Sequence, residues 1–383
     1  MSEDPTQRGR QRWVQAVGSS PVASLTITKL AWVAEHEPAN AERIAAICLP
    51  HDWLSWRIAG HGPQSSQPPA GVGLDALCTD RSDASGTGYF DSTTNSYRRD
   101  LLAHALPAHI SQEAVLPRVL GPYEVAATAD PAIAGADVPG GCIIAPGGGD
   151  NAMAALGLSM QVGDVSISLG TSGVAAAVSP VPAFDMSAAV TGFADATGHW
   201  LPLACTLNGS RILDAGRAAL GVDYDGLAQL ASQSTPGAAG VTLIPYFDGE
   251  RTPNRPDAHA QLEGMTLANT QREHLARAFV EGLLCSQRDC LELLKQLGTD
   301  IKRVLLVGGG AKSEAVRAYA PSILGIDIEL PRIDEYVAIG AARQAAWALS
   351  DRAEPPSWPV DIETTLTAPP TPEVYEQYVR WRG

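Results

Sequence analysis

Three junctions where an apolar strand runs into glycine hold the residues best able to do chemistry. The first is Gly147-Gly148-Gly149-Asp150-Asn151, which follows the apolar run Cys142 to Ala145. Glycines let the chain turn sharply at a strand end, and a carboxylate projecting from such a turn can take a proton from a bound hydroxyl. Asp150 also stands where a residue could N-cap the helix that starts near Ala152, and the two roles are not exclusive. The second junction, SLGTSG at 168–173, is a glycine-rich tip whose N–H groups can form an anion nest, with Thr171 and Ser172 adding hydroxyls beside Gly170. An ordinary hairpin turn has the same composition. The third, LLVGGGAKS at 305–313, opens a buried strand onto Gly309, Gly310 and Ala311. Close backbone approach to a nucleotide explains it, and so does a plain strand-to-helix turn. It is neither a G-x-x-x-x-G-K-[ST] loop nor a G-x-G-x-x-G fingerprint.

Such junctions need strands that alternate with helices. Val165 to Leu169 alternates with period two, turns at 170–173 and resumes over Val174 to Val178, which predicts a β-hairpin. Helices are expected at Gly209 to Leu220, Arg272 to Leu297 and Val337 to Leu349, with a strand at Arg303 to Val307. Upstream, Leu30, Val33 and Ala34 recur at helical spacing, and Ala41 to Cys48 continues the pattern. A polar connection at 60–71, a hydroxyl-rich loop at 79–91, a helical stretch near Leu101 to Leu106, an extended one near Val115 to Val125 and a turn at 139–141 follow. The fold class is α/β. The change of texture near residue 150 divides the chain into 1–150, 151–350 and an extended surface tail, 351–383.

Composition narrows the function. The 383 residues carry 42 acidic against 27 basic side chains, a net −15, which argues against a nucleic-acid partner. No apolar run is long enough to span a membrane, and residues 1–12 are polar where a secretory leader would be apolar. The six cysteines are scattered without a C-x-x-C pair, which predicts reduced, mostly buried thiols in a cytoplasmic protein. His51 and Asp52 are read as structural at a helix start, and Asp80, Ser82, Asp83 and Ser85 as knitting their own loop. Glu250-Arg251 is read as an interdomain or loop-holding ion pair, with approach to phosphate as the alternative, and Trp53, Trp56 and Trp347 as core.

Taken in order, these stretches resemble the FGGY family of carbohydrate kinases. Ser24-x-Thr26-x-x-Lys29-Leu30-x-Trp32, LPHDWLSWRIAG (49–60), TDRSDASGTGYFD (79–91), GGGDNAMAALG (147–157), SISLGTSGV (166–174), LIPYFDGERTPNRPDA (243–258), LLVGGGAKSE and GAARQAAWAL (340–349) carry the match. Among them, PYFDGERTPNRPDA is most like members that phosphorylate D-xylulose. The resemblance implies two actin-like, ribonuclease-H-like domains with a cleft between them. It implies Asp150 as the base that deprotonates the sugar and Asn151 as a sugar contact. Gly170, Thr171 and Ser172 would meet the ATP phosphates, Gly309, Gly310 and Ala311 the adenine, and Asn208 and Gly209 the nucleotide side. ATP and Mg²⁺ are the implied cosubstrate and cofactor, with no metal ligand assigned among these residues, and a homodimer is left open.

The family's leading D-x-G-T turn and its Met-His-Gly segment do not occur here. On that comparison the first domain is truncated at its N-terminus, and the chain alone is expected to phosphorylate sugar poorly. Kinases of ribulose, glycerol or another polyol, and a non-catalytic actin-like nucleotide-binding fragment, are the alternatives.

Overall fold

The computed structural model describes residues 5–62, 73–135, 137, 141–350 and 352–383. Most of the expected connection at 60–71 and two residues of the turn at 139–141 lie outside them. Where one cut near residue 150 is expected, the chain folds into two compact units that interleave along it: Met1–Met160 with Pro180–Leu201 and Glu335–Pro359, and Gln161–Ser179 with Pro202–Asp334 and Val360–Gly383.

The first unit is mainly helical, with short strands. Its core gathers Leu25, Ile27, Ile47, Tyr89, Leu102 and Ile110. Strands Cys78–Asp80 and Arg118–Leu120 pair in parallel, and Ala127–Thr128 pairs with Ile143–Ile144 antiparallel. The apolar pattern of Ala41 to Cys48 is not helical beyond Ala41, because a parallel bridge from Ala46 to Val115 and the bond from Ile47 N–H to Val115 C=O draw it into an extended path. Helix Asp150–Gly157 packs against helix Tyr336–Ser350. A Cβ on Gly340 would lie 1.8 Å from the Met153 carbonyl oxygen, and one on Gly157 2.0 Å from that of Tyr336, so glycine at the crossing brings the backbones together.

The second unit is built on a mixed sheet in the order Ile362–Leu366, Ile328–Pro331, Arg303–Val307, Asp164–Leu169, Gly173–Ala177 and Trp200–Thr206, the last entering this unit at Pro202. The parallel pair 303–307 and 164–169 is buried on both faces; Val165, Ile167, Val304 and Leu305 are each at most 1% exposed. Helices Arg211–Leu220, Tyr224–Ser232 and Glu314–Leu324 pack on the long helix Arg272–Gln296. The expected extended tail is a correction: Ile362–Leu366 joins the sheet antiparallel to Ile328–Pro331, and Pro372–Arg382 is a helix that buries Val374 and Tyr378. These side chains find apolar partners that the Pro-rich composition does not advertise.

Two further expectations change. Only Cys285 and Cys290, on the long helix, are buried; Cys142 is exposed and the other three are intermediate. Trp56 and Trp347 are core but Trp53 is 52% exposed. Asp52 and Trp56, one turn apart, occupy the inward face of helix Pro50–Ile58, and Trp53 lies about 100° round from Asp52. Among the described residues no helix is long and apolar enough to cross a membrane.

Candidate active site

In the first unit, strand Ile143–Ile144 delivers the chain into the glycine run. Gly147 has φ +87°, and a Cβ there would sit 2.2 Å from Cδ2 of His51, so both conformation and space require glycine. Its peptide groups are held by Gln344: Gly147 N–H donates to Oε1 at 3.0 Å, and Nε2 donates to Gly147 C=O at 2.8 Å. Gly149 takes the N-cap position of the helix, and its N–H donates to Ser82 Oγ at 3.1 Å. Asp150 is therefore the first helical residue and not the N-cap. Its Oδ1 accepts from the N–H and the side-chain amide of Asn151 at 2.7 and 2.8 Å, and its carboxylate is exposed. Asp150 and Asn151 line a cavity of about 180 Å³ with Ser82, Asp83, Ser24 and Phe193. A carboxylate and an amide at one mouth can accept a proton from a polyol and orient it.

Sequence reasoning placed Ser82 and Asp83 in a self-contained loop. Asp80 does cap helix Arg81–Ser85, accepting from the N–H groups of Ser82 and Asp83, and Ser85 Oγ donates to Ser82 C=O. Asp83 is left over from that capping and reaches out of its loop: His51 Nδ1 lies 2.6 Å from its Oδ2, while His51 Nε2 lies 3.2 Å from Oδ1 of buried Asp52. Burial works against the charged imidazole, but the hydrogen bond to Asp83 and the negative fields of Asp52, Asp83 and Asp80 outweigh it and raise His51 to about 9. Burial lifts Asp52 to about 6. Asp83 was not read as a site residue from sequence; the signal left unused is a second carboxylate at a helix start that needs only one as a cap.

In the second unit the nest takes shape. Gly170 N–H donates to Ser172 C=O, and the N–H groups of Gly209 and Ser210 donate to the carbonyls of Thr171 and Gly170 at 2.9 and 2.8 Å. Among the described residues the N–H groups of Thr171 and Ser172 make no backbone bond, which leaves two donors at the tip. A Cβ on Gly209 would lie 2.4 Å from the Ser172 carbonyl carbon, so this position must stay glycine. Asn208 lies underneath, fully buried, and its amide donates to Gly249 C=O and to Glu250 Oε2. It holds the loop from below. Glu250 likewise accepts from the N–H groups of Leu207 and Arg251 at 2.6 and 2.7 Å. It secures the loop through backbone donors, where an ion pair with the Arg251 side chain was expected. The turn after strand Arg303–Val307 adjoins the nest, since a Cβ on Gly310 would lie 2.7 Å from that of Leu169 and 3.4 Å from that of Ser210. Gly309 is exposed with nothing near its Cβ position, whereas Gly310 and Ala311 are buried.

A larger cavity in the first unit, about 370 Å³, opens beside Arg81 and Trp200. Its cation is already engaged, with Arg81 donating to Ser92 C=O, Asn95 Oδ1 and His199 C=O and lying over the Trp200 ring. It therefore offers less free chemistry than the smaller cavity at Asp150.

Residues 6–157 match the N-terminal domain of the FGGY family of carbohydrate kinases, and 165–349 match its C-terminal domain. The chain is 40% identical over 343 residues to a xylulose kinase of Streptomyces coelicolor, covering 89% of this chain and 65% of that one. It is 31% identical over 333 residues to a xylulose kinase of Escherichia coli, covering 86% and 65%. The chain thus spans about 65% of the length of these relatives. Among solved structures, a xylulose kinase from Bifidobacterium adolescentis superposes with a TM-score of 0.95 at 67% identity, over 100% of this chain and 77% of that one. A Plasmodium falciparum glycerol kinase with ADP shares the fold, with a TM-score of 0.77 at 16% identity, over 97% and 73%.

Proposed function

The chain belongs to the FGGY family of carbohydrate kinases, and from that premise we propose that it carries the sugar- and nucleotide-binding machinery of a D-xylulose kinase. The observation that carries this reading is the exposed carboxylate of Asp150, which opens with Asn151 onto a cavity at the end of the glycine run. In the proposed reaction a sugar hydroxyl oxygen attacks the γ-phosphorus of ATP, the bond to the bridging oxygen breaks, and ADP leaves. Asp150 takes the hydroxyl proton. Asn151 orients the sugar, and the Thr171 and Ser172 donors hold phosphate oxygens. Gly309 leaves room for the adenine, with Gly310 and Ala311 forming the floor behind it. Gly170 and Gly209 keep the tip in shape, and Asn208 braces it.

Phosphoryl transfer of this class uses a divalent cation, here Mg²⁺, which neutralises phosphate charge when bound. Among the described residues no three His, Cys, Asp or Glu side chains converge as a cation site, so these residues do not fit a preformed metal cage. No step is assigned to the ion, which on this reading enters with the nucleotide.

The test is sugar-dependent ADP release with D-xylulose, D-ribulose and glycerol as acceptors. Turnover greatest with D-xylulose supports the reading. Preference for another polyol would change the substrate and keep the class, and ATP or ADP binding without any sugar-dependent turnover would leave a nucleotide-binding module.

A further inference from the structure

We infer that Asp83, held by His51, is a hydroxyl-binding residue of the sugar cavity that helps to decide which sugar is accepted. The inference rests on the sugar-kinase reading above. Asp83 lines the same cavity as Asp150 and Asn151, and its side chain remains 29% exposed there. One of its oxygens, Oδ2, is committed to His51 Nδ1 at 2.6 Å. The other, Oδ1, accepts no bond among the described residues and lies 3.7 Å from where a Cβ on Gly149 would be, beside the residue that precedes the proposed base.

An ionised carboxylate accepts hydrogen bonds and donates none, so the partner it recognises is a donor, and a sugar offers hydroxyl donors in a fixed stereochemical pattern. The charge-assisted bond to His51 fixes the rotamer of Asp83. His51 Nε2 lies 3.2 Å from Asp52 Oδ1 without a hydrogen bond, so the ring is held by its bond to Asp83, by the charge of Asp52 nearby and by Gly147, whose missing Cβ leaves room for the imidazole. The glycine run that presents Asp150 therefore also seats the residue that aims Asp83. His51 is a positioning residue on this account, because it acts through Asp83.

The experiment measures KM and kcat for D-xylulose and for D-ribulose and L-ribulose, which invert its C3 and C4 one at a time. The parent chain is compared with Asp83→Asn, Asp83→Ser, His51→Ala and His51→Asn, with thermal unfolding as the folding control. Losing a hydrogen bond to a charged acceptor corresponds to a rise of about 10- to 100-fold in sugar KM. That rise is expected in both Asp83 variants, with a reduced preference among the three sugars and little change in the KM for ATP. His51→Ala should share the defect. His51→Asn, which can place an amide donor near the Nδ1 position, should recover part of it. If Asp83→Asn does not fold, Asp83→Ser is read the same way. An active parent whose Asp83 variants keep its sugar KM and its preference overturns this inference alone. Where the parent turns over none of the three sugars, the same comparison is made on their Kd by calorimetry, and a parent that binds none of them overturns the kinase reading and this inference together.

Discussion

Gln344 closes two hydrogen bonds on the backbone of Gly147, a residue 197 positions away, and so clamps the turn that presents Asp150. The amide matches a peptide group donor for acceptor, and the hydrocarbon side chain of leucine can do neither. Gln344→Leu leaves a partly buried N–H and C=O unpaired, which costs about 1–3 kcal/mol per group. A fall in Tm together with a kcat loss larger than the change in sugar KM is expected from unfolding scans and steady-state assays. Unchanged Tm and kcat would show that the clamp is incidental.

Asp150→Asn removes the proposed proton acceptor while keeping size and hydrogen-bonding shape. Turnover should fall by about 10²–10⁴-fold, with ADP affinity by calorimetry close to that of the parent. Near-parental turnover would reduce Asp150 to a helix-terminal residue.

Gly309 and Gly310 separate nucleotide binding from folding. Valine at 309 grows into open space, so Gly309→Val should fold with parental Tm and bind ADP at least about tenfold more weakly, a loss of roughly 1.4 kcal/mol. Valine at 310 collides with Leu169 and Ser210, and overpacking of this kind costs about 1–3 kcal/mol. Equal ADP affinity in Gly309→Val and parent would remove the adenine from this turn.

Glu250 is 1% exposed and accepts from three donors on 207, 208 and 251. Glu250→Ala strands the N–H groups of Leu207 and Arg251 and leaves the Asn208 amide only Gly249 C=O, and a loss of about 2–4 kcal/mol in urea-determined stability is expected. ADP affinity should fall as well, because Asn208 and Gly209 lie directly on this support. Parental stability would mean that water replaces the carboxylate.

The cluster at His51 sets a pH dependence of stability. The folded value of His51, about 9, lies above the ordinary 6.5, so its protonated form contributes stability that is complete below about pH 6.5 and is lost as pH rises through about 9. Asp52 is raised from 3.8 to about 6, so its contribution falls in the lower window between those values. Urea unfolding at pH 6, 7.5 and 9 should show declining stability in the parent and a flatter profile in His51→Gln. Identical slopes would place the titration elsewhere.

What was legible in the sequence was local. The alternation of Val165 to Leu169 about a glycine tip, the apolar strand Arg303–Val307 and the long helix from Arg272 were readable because period and turn chemistry are encoded in neighbouring residues. The order of glycine junctions marked the family and singled out Asp150. Tertiary structure decided which segments meet. Ala41 to Cys48 has helical spacing but becomes extended by pairing with Val115, and the Pro-rich end becomes a strand and a helix because the second unit offers an edge and an apolar face. Helix Tyr336–Ser350 joins residues 1–160 through its glycine crossing, and Asp83 leaves its loop for His51. Periodicity tells which face of an element is buried and is silent on the partner, since that choice depends on contacts between residues far apart in the chain.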